Sequence, residues 1–303
     1  MPSWRTTLTG AGISGPRLRD DYTHAARRVL RREPAPYLAL RLLAAPPLVP
    51  FLAAGLAFMN LVDDVAETGT PRERAEGLAA LTDRVEAALK DGDSPDPVLR
   101  AYADAVHTRA LPAHWTTRFL EGAATAEAGF DGFDAEEDFQ AYLDAYAWPG
   151  VLVFTGLQYQ GGPDGEQAAG WRRFVDAAQR VDFLADLCGD LADGRLCIPR
   201  SSLAEHEVTR GDLEQARDTP AVRALLLAES RRARASLDAT DGILELAEPG
   251  LRPVIATMRE LMGHQLTAVE RAGVTALRRD VGYGLVAPLR TLARARRGLS
   301  RPR

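Results

Sequence analysis

The chain has 303 residues, 46% of them hydrophobic and 26% charged, with a net charge of −5 and a pI near 5.7. That composition belongs to a globular protein with a sizeable core and excludes disorder. The acidic balance excludes nucleic acid as the main partner, because binding a phosphate backbone needs a cationic surplus.

Apolar positions recur at intervals of three and four, and two-residue alternation is nearly absent, so the chain is expected to be all-α. Residues 1–16 are expected to be a flexible N-terminal segment. Within them "GAGISG" (10–15) matches the dinucleotide-binding pattern by letter, but no strand precedes it and Pro16 follows at once, so that reading is set aside. Helices are predicted over 17–32, 37–44, 48–68, 71–90, 96–108, 113–129, 136–160, 166–193, 220–246, 250–273 and 283–297, separated by Gly, Pro and Asp breakers. The polar stretch from about 194 to 219 reads as a long connection inside one domain, placed at 17–298. Residues 299–303 end a basic tail, a solvated terminus or a point of peripheral contact with anionic lipid or a phosphate-bearing substrate. The most apolar region, 36–62, is interrupted by Arg41, Pro46, Pro47 and Pro50, so interior helix is expected rather than stable membrane insertion. No signal-peptide core opens the sequence, and Cys188 and Cys197 lack metal-ligand spacing, which together point to free thiols in a cytoplasmic protein.

Two acidic clusters break the apolar pattern. "NLVDDVAETG" (60–69) ends a long apolar helix with Asp63, Asp64 and Glu67, and residues four apart share a helical face. "QRVDFLADLCGDLADGRLCIP" (179–199) stacks Asp182, Asp186 and Asp190 at successive steps of four, with Asp193 near them. Like charges so placed destabilise a helix, and their neighbours Val181, Phe183, Leu184, Leu187 and Leu191 are apolar. Carboxylates facing an interior need a cation. Two such faces opposed across a bundle are expected to cage Mg²⁺, a hard ion that keeps waters and binds substrate phosphates. An allylic diphosphate then becomes a good leaving group, and apolar walls shelter the carbocation.

These residues resemble the squalene/phytoene synthase family, all-α enzymes that join prenyl diphosphates head to head. Asp63–Glu67 matches the family's first acidic motif with Glu in the last place. Gln179, Asp182, Asp186, Asp190, Gly194, Arg195 and Pro199 match the second, and "YLDAYAWPG" (142–150) matches a third in part. The resemblance implies a single-domain isoprenoid-synthase bundle with a central cavity. It implies Mg²⁺ held by Asp63, Asp64, Glu67, Asp186 and Asp190, diphosphate contacts from Arg195 and Gln179, and a proton-transfer role for Tyr142.

The chain also departs from the pattern. Asn60 stands for an arginine, Leu56 for a tyrosine, Ala35-Pro36 ahead of Tyr37 for Ser-Phe, Asp182 for an asparagine and Ala185 for an arginine. Each missing arginine removes a clamp for a second diphosphate. Tyr146 and Trp148 replace smaller residues, so Tyr37, Leu56, Asn60, Tyr146, Trp148 and Phe183 are expected to line a pocket for prenyl group and acceptor. The expected activity is prenyl transfer from a donor of five to fifteen carbons to an electron-rich aromatic acceptor, as in the carbazole-prenylating offshoots of the family and their secondary metabolism. Tyr142 or Asp182 would take the ring proton. The alternatives are head-to-head coupling of two prenyl diphosphates and a non-catalytic prenyl-lipid-binding or partner subunit.

Overall fold

The computed structural model describes residues 1–282, 291, 292 and 294–296. Among them every regular element is helical, and the one β contact is an isolated bridge between Gly132 and Leu196. The expected all-α single domain is the fold.

The N-terminal expectation fails. Helix α1 (Trp4–Gly10) is capped by Ser3 and buries Leu8, Ile13 is buried just after it, and Trp4 Nε1 donates to Thr23 at 2.8 Å. The "GAGISG" stretch is the turn from α1 into α2 (Pro16–Arg32). Helix α3 (Pro34–Leu43) follows after Glu33, its prolines sitting in the first turn where a missing N–H breaks no helical bond. Helix α4 (Val49–Glu67) is the axis of the bundle, buried without interruption from Val49 to Phe58 and packed on α2. Length and composition alone would let it cross a membrane, yet most of it lies inside the protein.

Helices α5 (Pro71–Asp91) and α6 (Pro97–Arg109) wrap α4, the first opened by a capping box between Thr70 and Glu73. Helix α7 (Ala113–Gly122) runs on into a π-turn, Ala123–Glu127, and α8 (Glu136–Tyr142) runs into a second, Leu143–Ala147, before α9 (Trp148–Thr155). The two π-turns face each other. Pro149 has no N–H to give the carbonyl of Ala145, and that carbonyl lies against Gly122, where an added Cβ would come within 2.0 Å. Glycine is required at 122 by this approach.

The single helix expected at 166–193 is two. Helix α10 (Gly165–Ala185) ends at Asp186, which has φ −100° and ψ 14°, and α11 (Leu187–Ala192) begins after it. The interruption comes from a distant strand of chain: Val281 N–H takes the Ala185 carbonyl at 2.8 Å, and Gly189 N–H donates to the Asp280 carboxylate at 3.0 Å. The stretch read as irregular carries α12 (Arg200–Glu205) and α13 (Arg210–Glu214), and its start pairs with 131–134 through Leu196, Arg200 and Ser201 N–H groups. Helices α14 (Pro220–Asp238), α15 (Ile243–Leu246) and α16 (Arg252–Ala272) complete the described bundle. The expected helix at 283–297 lies mostly, and the tail 299–303 wholly, outside the described residues.

Two apolar clusters form the core, one built on α2, α4, α6 and α9 and one on α11, α13, α14 and α16; α10 contributes to both.

Candidate active site

The two acidic clusters and a set of residues invisible as a motif come together around the π-turns. Asp63 accepts the Tyr146 hydroxyl at 2.6 Å. Burial pushes its carboxyl up to about 7, with Glu67 and Glu127 adding repulsion and Tyr146 and Arg32 opposing it. Glu67 closes α4 and is likewise raised, first by burial and then by Glu127. Asp64 behaves differently. Its carboxylate is taken up by Arg28 and Arg32 of α2, so it does not join Asp63 as a free ligand. Arg32 also stands 3.9 Å from Glu67.

Glu127, which the sequence reading missed, is the hub. It ends the first π-turn with 5% of its surface exposed, accepts the Tyr142 hydroxyl at 2.7 Å and the Arg195 guanidinium at 2.9 Å. The pairing of 194–201 with 131–134 delivers Arg195 to this place. Arg195 Nε lies 3.8 Å from Asp190, and the guanidinium lies over the Phe130 ring at 4.9 Å. Burial, and then Glu127, hold the Tyr142 hydroxyl well above the ordinary phenol range. Tyr142 is therefore a neutral donor, unsuited to act as a free phenolate base.

Asp182 is exposed to water on α10, though closely crowded by protein atoms. Burial, then Asp186 and Asp190, push it up to about 7, against Arg195. Asp186 and Asp190 are raised too, by burial first, and Asp280 adds repulsion to both. Asp280 is a second acidic residue that no spacing announced. Gln179 stands half-buried before Asp182 on α10.

The six residues expected to line one pocket divide among several environments. Tyr146 stacks on Phe119 at 5.3 Å, and Phe183 belongs to a ring cluster with Phe130, Phe133, Phe139 and Tyr142. Trp148 packs edge-on to Trp115 at 5.2 Å, under Arg118, as a partly buried ring set against the core. Leu56 is core, Tyr37 is half-buried on α3, and Asn60 is fully buried, its amide close enough to the Glu33 carboxyl to favour that group's charge but short of good hydrogen-bond geometry.

Raised carboxyls fix the sign of a pH effect. For Asp63 and Asp182 the folded protein binds the proton more tightly than the unfolded chain, so their stabilisation is complete below the ordinary Asp value of 3.8 and lost as pH rises through about 7. The metal-free protein is expected to melt at progressively lower temperature from pH 5 to pH 8, measured by scanning fluorimetry. Mg²⁺ with inorganic diphosphate should flatten the slope; an unchanged slope in Asp63→Asn/Asp182→Asn would assign it elsewhere.

The sequence profile described as squalene/phytoene synthase matches residues 31–286, most of the chain. The chain belongs to the squalene/phytoene synthase family. The bifunctional protein CrtB/UppS of Streptomyces coelicolor is 28% identical over 278 residues, covering 90% of this chain. The match takes in 47% of that relative, so the chain spans about half its length. Squalene synthase HpnC from Alicyclobacillus acidocaldarius superimposes with a TM-score of 0.77 at 25% identity, over 87% of this chain and 98% of that one. A dehydrosqualene synthase solved with a ligand gives 0.80 at 17% identity, over 93% and 97%, a likeness of fold.

Squalene/phytoene synthase chemistry generally uses a divalent metal. The donors fit one in part. Asp63, Glu67, Asp186 and Asp190 offer oxygen atoms only, and their carboxyls are raised first by burial and then by acidic neighbours, a cost that a cation would relieve. Among the described residues no three acidic, His or Cys side chains converge on one point as metal ligands. Such a site suits Mg²⁺ carrying waters and shared with a substrate diphosphate, with Asp64 left to its arginines.

Proposed function

We propose that the protein ionises an allylic prenyl diphosphate between the α4 and α10–α11 carboxylates and joins the prenyl group head to head to a second prenyl diphosphate. The observation that supports this reading is that cations stand at two stations. Arg28 and Arg32 flank the first cluster, and Arg195 lies between Glu127 and Asp190 at the second. Two diphosphates call for two such stations, and the arginines absent at 60 and 185 are offset by the pair on α2. The likeness to a squalene synthase supports the same reading.

In this reading Asp63, Glu67, Asp186 and Asp190 hold Mg²⁺, which when bound neutralises charge developing on the leaving diphosphate. Arg195, Arg28 and Arg32 orient the two diphosphates, exchanging their carboxylate partners for phosphate oxygens. The C–O bond of the donor breaks, a C–C bond forms between the prenyl units, and the coupled cation loses one proton. Tyr142 relays that proton, accepting it as its own passes to Glu127 along the 2.7 Å hydrogen bond. The rings of Phe130 and its neighbours offer π faces to positive charge.

A second reading, transfer to an electron-rich aromatic acceptor, is favoured by one observation: at 60, where the resemblance expects an arginine, a neutral amide lies buried beside the Glu33 carboxyl. There Asp182, whose carboxyl titrates near 7, would take the ring proton.

Purified protein with Mg²⁺ and five-, ten-, fifteen- or twenty-carbon prenyl diphosphate, each alone and with indole and carbazole phenols, separates the readings by product mass. A product assembled from two prenyl units without added acceptor is the expected result. Diphosphate release only with an aromatic acceptor, which gains one prenyl mass, would replace it with the second reading. No release with any donor would leave a binding or partner subunit.

A further inference from the structure

A neutral donor stands on one carboxylate of each acidic cluster. At the first, the Tyr146 hydroxyl donates to Asp63 Oδ1 at 2.6 Å. At the second, the Cys197 thiol donates to Asp190 Oδ2 at 3.3 Å. The other oxygen of each carboxylate accepts no hydrogen bond among the described residues and is open to solvent, with Arg195 Nε no closer than 3.8 Å to Asp190 Oδ1. Glu67 and Asp186 have no such donor among the described residues. Each cluster therefore pairs one tethered carboxylate with one that is untethered.

Neither donor can follow a carboxylate that turns. Tyr146 is buried, its ring stacked on Phe119 at 5.3 Å and set edge-on to Tyr142 at 5.8 Å. Its π-turn, Leu143–Ala147, lies so near α7 that a Cβ added at Gly122 would stand 2.9 Å from the Tyr146 Cα. Cys197 is buried as well, and the backbone on either side of it is pinned. Leu196 N–H donates to the Asp131 carbonyl and Arg200 N–H to the Phe133 carbonyl, both at 2.9 Å.

A hydrogen bond from a neutral group fixes the rotation of a carboxylate without cancelling its charge, as an arginine would. A carboxylate held in this way meets a cation with one oxygen, whereas a free one can close on it with two. Mg²⁺ demands an octahedron at about 2.0–2.1 Å and keeps several waters; Ca²⁺ takes roughly six to eight oxygens at about 2.3–2.6 Å and accepts both from one carboxylate. We propose that Tyr146 and Cys197 are positioning residues that turn a single oxygen of Asp63 and of Asp190 towards the metal, and so make the site select Mg²⁺ over Ca²⁺. The inference rests on the reading that these carboxylates hold Mg²⁺, whichever acceptor the prenyl group meets.

Mn²⁺ titration read from the EPR signal of the free ion, against a protein-free blank, tests it without turnover. Inorganic diphosphate is present at the protein's concentration, and Mg²⁺ or Ca²⁺ competes. Tyr146→Phe keeps the ring and removes the donor. Mg²⁺ is then expected to bind about 10–100-fold more weakly, the usual cost of losing a group that orients a metal ligand. Ca²⁺ should hold its affinity, so the preference for Mg²⁺ falls by the same factor. Cys197→Ala should act in the same direction but less strongly, since a thiol is a weak donor, and Cys197→Ser should stay near the parent because it keeps one. The Cys197 pair decides the point independently of how Tyr146→Phe folds. Equal weakening of both ions, or an unchanged ratio of Mg²⁺ to Ca²⁺ affinity in Tyr146→Phe and Cys197→Ala, would overturn the proposal and leave the metal site standing. A parent protein that binds no Mn²⁺ with diphosphate present would overturn the metal site and the proposal together.

Discussion

Asp63→Asn is expected to lower diphosphate release about 10²–10³-fold, the loss typical of removing one electrostatic stabiliser, while raising the melting temperature of the metal-free protein. The two effects share one cause. Asp63 is half-buried beside Glu67 and Glu127, and without a cation its negative charge is costly. Asparagine keeps an oxygen for the Tyr146 hydroxyl, 2.6 Å away, and removes the charge. The gain should be present at pH 8 and vanish at pH 5, where a carboxyl titrating near 7 is already neutral. Steady-state diphosphate release and melting curves at the two pH values decide it. A variant that is less stable and fully active would show that Asp63 serves packing rather than chemistry.

Arg195→Ala is expected to destabilise the protein by roughly 3–5 kcal/mol, because it leaves Glu127 buried and without its cation. Adding Glu127→Gln should restore most of that stability, since a neutral amide can still accept from Tyr142 and needs no counter-charge. Diphosphate release should stay low in the double variant, as the guanidinium at the second cluster remains missing. Denaturant unfolding of the two single variants and the double variant gives the coupling directly. Additive losses would mean that the 2.9 Å contact contributes nothing beyond its surroundings.

Much of this fold is written in periodicity. The positions of α4, α5, α6 and α16 follow from apolar spacing and from breakers such as Gly69–Pro71 and Glu248–Gly250, because those helices end where local chemistry ends them. The break at Asp186 could not be read in this way. It is made by Asp280 and Val281, which replace a helical hydrogen bond from ninety-odd positions away, and i+4 spacing continues across it undisturbed. The N-terminal helix was missed because its apolar face is short and only Thr23 and Arg41 show why Trp4 is held.

The site divides along the same line. Asp63, Glu67, Asp182, Asp186 and Asp190 were legible because like charges at i+4 on apolar helices are expensive and call for a reason. Glu127 carried no such mark. It is a single acid near the end of an ordinary amphipathic run, and its importance lies in a tyrosine and an arginine brought from other parts of the chain. Asp64 gave the opposite error: adjacent in sequence to Asp63, it points a helical step away and meets Arg28 and Arg32 instead.

The paired π-turns have a consequence for how this site can change. Each turn holds one residue more than an α-helix would use for the same advance, so all that follows is rotated by about 100° relative to an uninterrupted helix. Glu127 closes one turn, Tyr146 lies in the other and Tyr142 immediately precedes it. Their convergence is thus stored as a count of residues, and deleting a single alanine from 123–126 would swing Glu127 off Tyr142 and Arg195 without altering any functional side chain. Length variation inside these two helices, rather than substitution, is the step by which a descendant of this chain would lose or redirect its chemistry.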